Sequence, residues 1–213
     1  MASNAALSFL AKKFRIPGDY ISAVPYGSGH INDTFLATYE YFDGRVRYIH
    51  QKLNTNIFSN PATLMENVSR VVDHLITREP RPGKGPSSRS CLQLVPTFDG
   101  CSYYVHEGTE YWRTFLFIEG AETLDVAETL EHARQAAATF GRFQLLLADL
   151  PGPRLHETIV DFHDTTKRFG QLLEALDADM LDRTRRCEAE AEVARSRSGL
   201  ASALTSQINS GAI

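Results

Sequence analysis

The chain has 213 residues, a formal net charge of -4, 43% hydrophobic and 23% charged residues. This is an ordinary globular composition, long enough for one large domain or two small ones. The mild acidity argues against a nucleic-acid partner, which calls for a basic face. Three cysteines, Cys91, Cys101 and Cys187, form no CxxC or Cys/His cluster, which points to reduced intracellular thiols rather than zinc.

The opening segment, MASNAALSFLAKKFRIPGDY, does not read as a signal peptide. Its apolar run is short, broken by Ser8 and followed by Lys12 and Lys13. Leu7, Leu10 and Phe14 fall on one helical face. No run of about 18 apolar residues is present, so no transmembrane helix or membrane partner is expected, and the expected compartment is the cytoplasm.

After Gly18 the pattern alternates. YISAVPYG reads as a strand entering a loop that holds Gly27 and Gly29, and TFLATYEYF (34–42) reads as a second strand rich in aromatic and β-branched residues. Asp43-Gly44 is a two-residue hairpin signal. RVRYIHQKL (45–53) alternates again, with Val46, Tyr48, His50 and Lys52 on one face. Asn60 can cap the next element and Pro61 suits its first turn, while Leu64, Val68, Val71, Val72 and Leu75 make a helical stripe.

Residues 77–90, TREPRPGKGPSSRS, read as an exposed, mobile loop, with Arg81, Lys84 and Arg89 as expected cleavage sites. Three short alternating segments follow: CLQLVPT, SYYVHEG after Asp99-Gly100, and EYWRTFLFIEG. From these six alternating segments the region 20–120 is read as a sheet of five strands, mostly hairpin-connected, with one helix after the third. That order is not βαβ, so a parallel Rossmann sheet is excluded. Beyond Gly120, Leu130, Ala133, Ala137, Phe140 and Leu147 mark a helix within 125–149, ended by Pro151. A long loop follows, then expected helices over about 166–196 and 199–209.

The glycine pair, in PYGSGHINDTF, fits neither common helix-entering loop. The third Rossmann position holds Asn32, a strand follows instead of a helix, and no G-x-x-x-x-G-K-[ST] is present. A glycine loop between antiparallel strands remains, as in the phosphate-covering loop of kinases, where backbone N–H groups approach phosphate without a Cβ in the way. A bare hairpin is the competing reading. Two further residues complete the kinase arrangement: Lys52 near the end of the third strand, and Glu66 one turn into the following helix.

On YGSGHINDTFLATYE, YIHQKLNTNIFSNPATLMENVSRVVDHL, EYWRTFLFIEG, AATFGRFQLLLADLP and LHETIVDFHDTTKRF, the chain resembles the aminoglycoside phosphotransferase and choline kinase superfamily. The resemblance is strongest to the branch holding N-acetylhexosamine 1-kinase and proteins labelled mucin desulfatase. It implies an α+β, protein-kinase-like N-lobe (a five-stranded antiparallel sheet plus helix) over residues 1–119. The first helices of an incomplete C-lobe would follow over 120–213. It further implies ATP, magnesium and a small-molecule acceptor, in the sugar branch the anomeric hydroxyl of N-acetylglucosamine or N-acetylgalactosamine.

Residue by residue, Gly27, Ser28 and Gly29 resemble the phosphate-covering loop, Lys52 the phosphate-binding cation and Glu66 its ion-pair partner. Leu116, Phe117 and Ile118 resemble the hinge that holds adenine. The family's H-x-D catalytic loop and magnesium aspartate are not in this sequence, so the chain alone is expected to lack turnover. A non-catalytic nucleotide-binding or structural fragment is the alternative, as is a kinase for choline, homoserine or an aminoglycoside. The two FDG triplets, 42–44 and 98–100, read as turns rather than a metal motif, and His163 and Asp164 lack the asparagine of a catalytic loop. His30 reads as a loop residue and Trp112 as packing.

Overall fold

The computed structural model describes residues 4–42, 44–78 and 91–212. The expected exposed loop falls largely on residues 79–90, and the hairpin signal partly on Asp43, both outside the described residues. Two compact units are formed, residues 1–158 and 159–213. No described helix is long and apolar enough to cross a membrane.

The first unit is built on five strands: β1 (Asp19–Pro25), β2 (Asp33–Tyr41), β3 (Gly44–Lys52), β4 (Tyr104–His106) and β5 (Glu110–Leu116). All pairs are antiparallel, in the order β1-β2-β3-β5-β4. The sheet therefore needs only hairpins and one excursion through a helix, α2 (Pro61–Arg78), between β3 and β5. Asn60 caps α2 through its side-chain oxygen, which accepts the Thr63 N–H at 3.2 Å, and Pro61 opens the helix as expected.

The segment 91–97 is not a strand. Its Val95 N–H donates to Thr114 O at 2.9 Å, and its Gln93 O accepts the Leu116 N–H at 3.0 Å. Pro96 faces the other edge, where its carbonyl accepts the Arg15 N–H at 2.8 Å, and the next residue, Thr97, gives its N–H to Cys101 O at 2.9 Å rather than to β5. The second FDG triplet closes a turn, with the Gly100 N–H on Thr97 O and Gly100 at φ +83°.

One face of the sheet packs under the short helix α1 (Asn4–Ala11). Leu7, Leu10 and Phe14 bury themselves against Phe35, Tyr39, Tyr48 and Trp112. Eight residues of helix are too few to be stable alone, so burial of this stripe holds α1 in place. Trp112 is in this core, packed on Phe35, as its sequence context suggests.

A polar row crosses the core. His50 is fully buried, its Nε2 2.8 Å from the Tyr39 hydroxyl and its Nδ1 2.7 Å from Thr114 Oγ1. Burial pushes the His50 pKa down from 6.5 to about 4 and raises that of the Tyr39 hydroxyl. Both ring nitrogens are thereby satisfied with the ring neutral.

Helix α3 (Leu130–Leu147) also belongs to the first unit and meets α2, where His74 Nε2 lies 3.0 Å from Leu146 O. The second unit holds α4 (Thr165–Ala178), α5 (Glu188–Ser196) and α6 (Ala203–Ser210). The single helix expected over 166–196 is broken at Asp179. That residue adopts a left-handed conformation and its carboxylate accepts the N–H groups of Arg183 and Thr184. Asp164 serves as the N-cap of α4, accepting the Lys167 N–H at 3.0 Å.

The His50 ring generates a pH prediction. The unfolded chain takes up this proton near pH 6.5, the folded chain only near 4. Stability is therefore complete above 6.5 and falls as the pH drops through 6.5 towards 4, by about 3 kcal/mol in all. Denaturant unfolding at pH 7.5, 6 and 5 is expected to show that loss in the parent chain. A His50→Gln variant, less stable at pH 7.5, is expected to show a correspondingly flatter dependence.

Candidate functional site

The sheet face opposite α1 opens on a cavity of about 480 Å³. Tyr26, Ile49, Gln51, Val68, Leu92, Arg113, Phe115, Leu116, Phe117, Ile118 and Ala121 line it. Alternation along β3 explains the lining: Tyr48 and His50 point into the core, so Ile49 and Gln51 point into the cleft. On β5, Trp112 and Thr114 are in the core, so Arg113 and Phe115 face the cleft. Helix α2 closes the back through Val68.

The β1–β2 hairpin forms the near rim. Tyr26 N–H donates to Thr34 O at 2.9 Å, and the chain then loops through Gly27, Ser28 and Gly29. Gly27 has φ +83°, a conformation that a side chain strains, and open space surrounds the Cβ positions of both glycines. The loop is fixed at its far end, where Asn32 Oδ1 accepts the Asn54 N–H at 2.9 Å. The Ser28 hydroxyl donates to Asp125 at 3.2 Å.

At the other end, Leu116 N–H is used by Gln93 O and Phe117 N–H by Arg47 O, each at 3.0 Å. Arg47 also forms an ion pair with Glu119 and lies over the Phe117 ring, 4.4 Å from its centroid. Tyr26 meets the same ring edge-on at 5.5 Å. The walls here are mostly apolar, which suits a planar heteroaromatic ligand, while the Leu116 and Phe117 N–H groups are already bonded within the protein.

The expected Lys52–Glu66 ion pair is not formed. Lys52 shares the face of Tyr48 and His50, and its ammonium pairs with Glu110 on β5. That contact holds the Glu110 carboxyl below its usual pKa. Glu66 is exposed on the outer side of α2, next to the fully buried Met65, and its carboxylate meets His156 Nε2 at 2.9 Å. Asn67 fixes the same loop, exchanging two bonds with the His156 backbone at 2.8 and 2.9 Å. Neither Lys52 nor Glu66 lines the cleft, whereas Leu116, Phe117 and Ile118 do.

Among the cleft residues that escaped the sequence reading are two polar ones, Gln51 and Arg113. Thr34, Gln51 and Arg113 are register partners across β2, β3 and β5. Gln51 Nε2 donates to Thr34 Oγ1 at 2.9 Å, while its Oε1 accepts Arg113 Nε and Nη2 at 2.9 and 2.7 Å. The signal was present in the Trp-Arg dipeptide: a tryptophan in the core commits its neighbour to the opposite face.

No family model matches the chain. Among solved structures, it is similar to spectinomycin phosphotransferase, APH(9)-Ia, in the crystal structure of that protein with ADP and spectinomycin. The TM-score is 0.50 at 12% sequence identity, over 88% of this chain and 54% of that one. The fold is a kinase-like N-lobe followed by helices. The chain spans about half the length of the phosphotransferase, and at this identity the likeness is one of fold.

The Asn32 tie to the segment just after β3 can be checked directly. Asn32→Ala is expected to cost about 1 kcal/mol, the scale of one lost hydrogen bond. It is also expected to speed amide hydrogen exchange at Asn54 and across 27–31. Unchanged exchange at Asn54 would mean that the loop is held by other contacts.

Proposed function

We propose that this chain is the nucleotide-binding part of an ATP-dependent small-molecule phosphotransferase whose acceptor is a sugar or amino sugar. One observation carries the nucleotide reading: a cleft lies between the glycine hairpin and the 116–118 segment, on the sheet face away from the core. Adenine fits the apolar end beside Tyr26, Ile49 and Phe117, with the backbone of 116–118 at its edge. The backbone N–H groups of Gly27, Ser28 and Gly29 cover the phosphates. The similar phosphotransferase was crystallised with ADP and a small-molecule ligand, which supports this reading. The amino-sugar acceptor and a place in carbohydrate metabolism rest on the sequence resemblance, and the cytoplasmic compartment on the sequence reading of the opening segment and of the apolar runs.

Phosphoryl transfer depends chiefly on positioning and on neutralising phosphate charge. The residues of this chain bind and orient the nucleotide and keep water from its base. Magnesium would supply further charge neutralisation when bound. Among the described residues no cluster of three or more His, Cys, Asp or Glu forms a site for it.

Titration of the 15N-labelled chain with ADP is expected to move amide signals at 26–29, 49–51 and 116–118. An ATP-consumption panel is expected to favour N-acetylglucosamine or N-acetylgalactosamine over choline, homoserine and aminoglycosides wherever turnover is measurable. Signals that stay still in all three segments at millimolar ADP would contradict the nucleotide reading. A preference for one of the other acceptors would contradict the amino-sugar reading alone.

A further inference from the structure

Arg113 is a cation placed in an apolar cleft, with no carboxylate paired to it among the described residues. Ile49, Val68, Phe115 and Leu116 line the same cavity, and Phe115 also underlies the guanidinium, 5.1 Å from the ring centroid. Two of its nitrogens donate to one neutral oxygen, Gln51 Oε1. Its Nη1 has only a weak acceptor, Met65 Sδ, at 3.8 Å. Among the described residues no carboxylate lies within ion-pairing distance of Arg113. Burial lowers its pKa to about 10, so the charge persists at pH 7 at an energetic cost.

Two other cations of these strands are paired with carboxylates. Arg47, on the same face of β3, is paired with Glu119. Lys52 is paired with Glu110 on the α1 side. The Thr34–Gln51–Arg113 row, in contrast, fixes the guanidinium from one side through neutral groups only. That arrangement positions a fork of donors without neutralising it, which suits a planar, bidentate grip on phosphate oxygens.

We propose that Arg113, supplied by β5, is the cation that binds the ligand's phosphate chain in this cleft, with Gln51 as its positioning residue, in place of the strand lysine Lys52. The proposal rests on the nucleotide reading for the identity of the ligand, but its anion site stands on the contacts of Arg113. No group is transferred in this step; a salt-dependent, charge-assisted contact is made.

The test measures binding of ATP, inorganic tripolyphosphate and adenosine to the full chain by calorimetry, for the parent and for Arg113→Gln, Arg113→Lys and Lys52→Gln. Arg113→Gln is expected to weaken ATP and tripolyphosphate by about tenfold to a hundredfold, and adenosine little. Arg113→Lys is expected to fall between, because the charge stays and the fork is lost. Lys52→Gln is expected to change none of the three. Independently of any variant's folding, the Arg113 Nε signal of the parent is expected to move when tripolyphosphate is added. A folded Arg113→Gln that binds ATP as the parent does, or an Nε signal that stays still while tripolyphosphate binds, overturns the proposal. Tripolyphosphate binding without adenosine binding upholds the anion site and removes the nucleotide reading. Binding of none of the three probes overturns both.

Discussion

The register of β3 is the constraint on which the rest depends. Its side chains alternate between the α1 core and the cleft, and a slip of one residue would exchange the two sets. His50 sets which is which. Its ring is fully buried between the Tyr39 and Thr114 hydroxyls, and the cleft face has no such pair of partners for it. With His50 inward, Ile49 and Gln51 line the cleft and Lys52 returns to the side of Glu110. One residue along from the His50–Thr114 register pair of the core, Thr34, Gln51 and Arg113 are register partners on the cleft face.

The two rows differ in what they cost. The core row is neutral and fully satisfied, so it specifies register at little electrostatic expense. The cleft row contains a half-buried cation with neutral partners, an arrangement that burial penalises. Sites that bind anions characteristically carry such a cost in the unliganded protein. Gly27 adopts without strain a left-handed backbone that a side chain would disfavour, with open space around it.

Much of the architecture was legible from pattern alone. The strands 34–42 and 45–53, the Asn60–Pro61 helix start and the α1 stripe all appear where period and capping chemistry place them. Alternation even grouped Lys52 with Tyr48 and His50. It did not say which face was the core, because β3 carries polar residues on both sides and a buried histidine looks like an exposed one in sequence. Glu66 was misplaced for a related reason. Met65 and Glu66 are adjacent on α2, about 100° apart around its axis, and only packing decides which one meets the sheet. Residues 91–97 and 166–196 differ from expectation through local chemistry, the Thr97 N–H turned to Cys101 O and the backbone-binding carboxylate of Asp179.

A crystal structure of the chain with ADP would test the central claim most directly. The account predicts adenine against the 116–118 backbone and a phosphate oxygen within hydrogen-bond distance of the Arg113 guanidinium, with Lys52 still on Glu110. ADP bound on another surface, or a phosphate held by Lys52 after that side chain leaves Glu110, would contradict it.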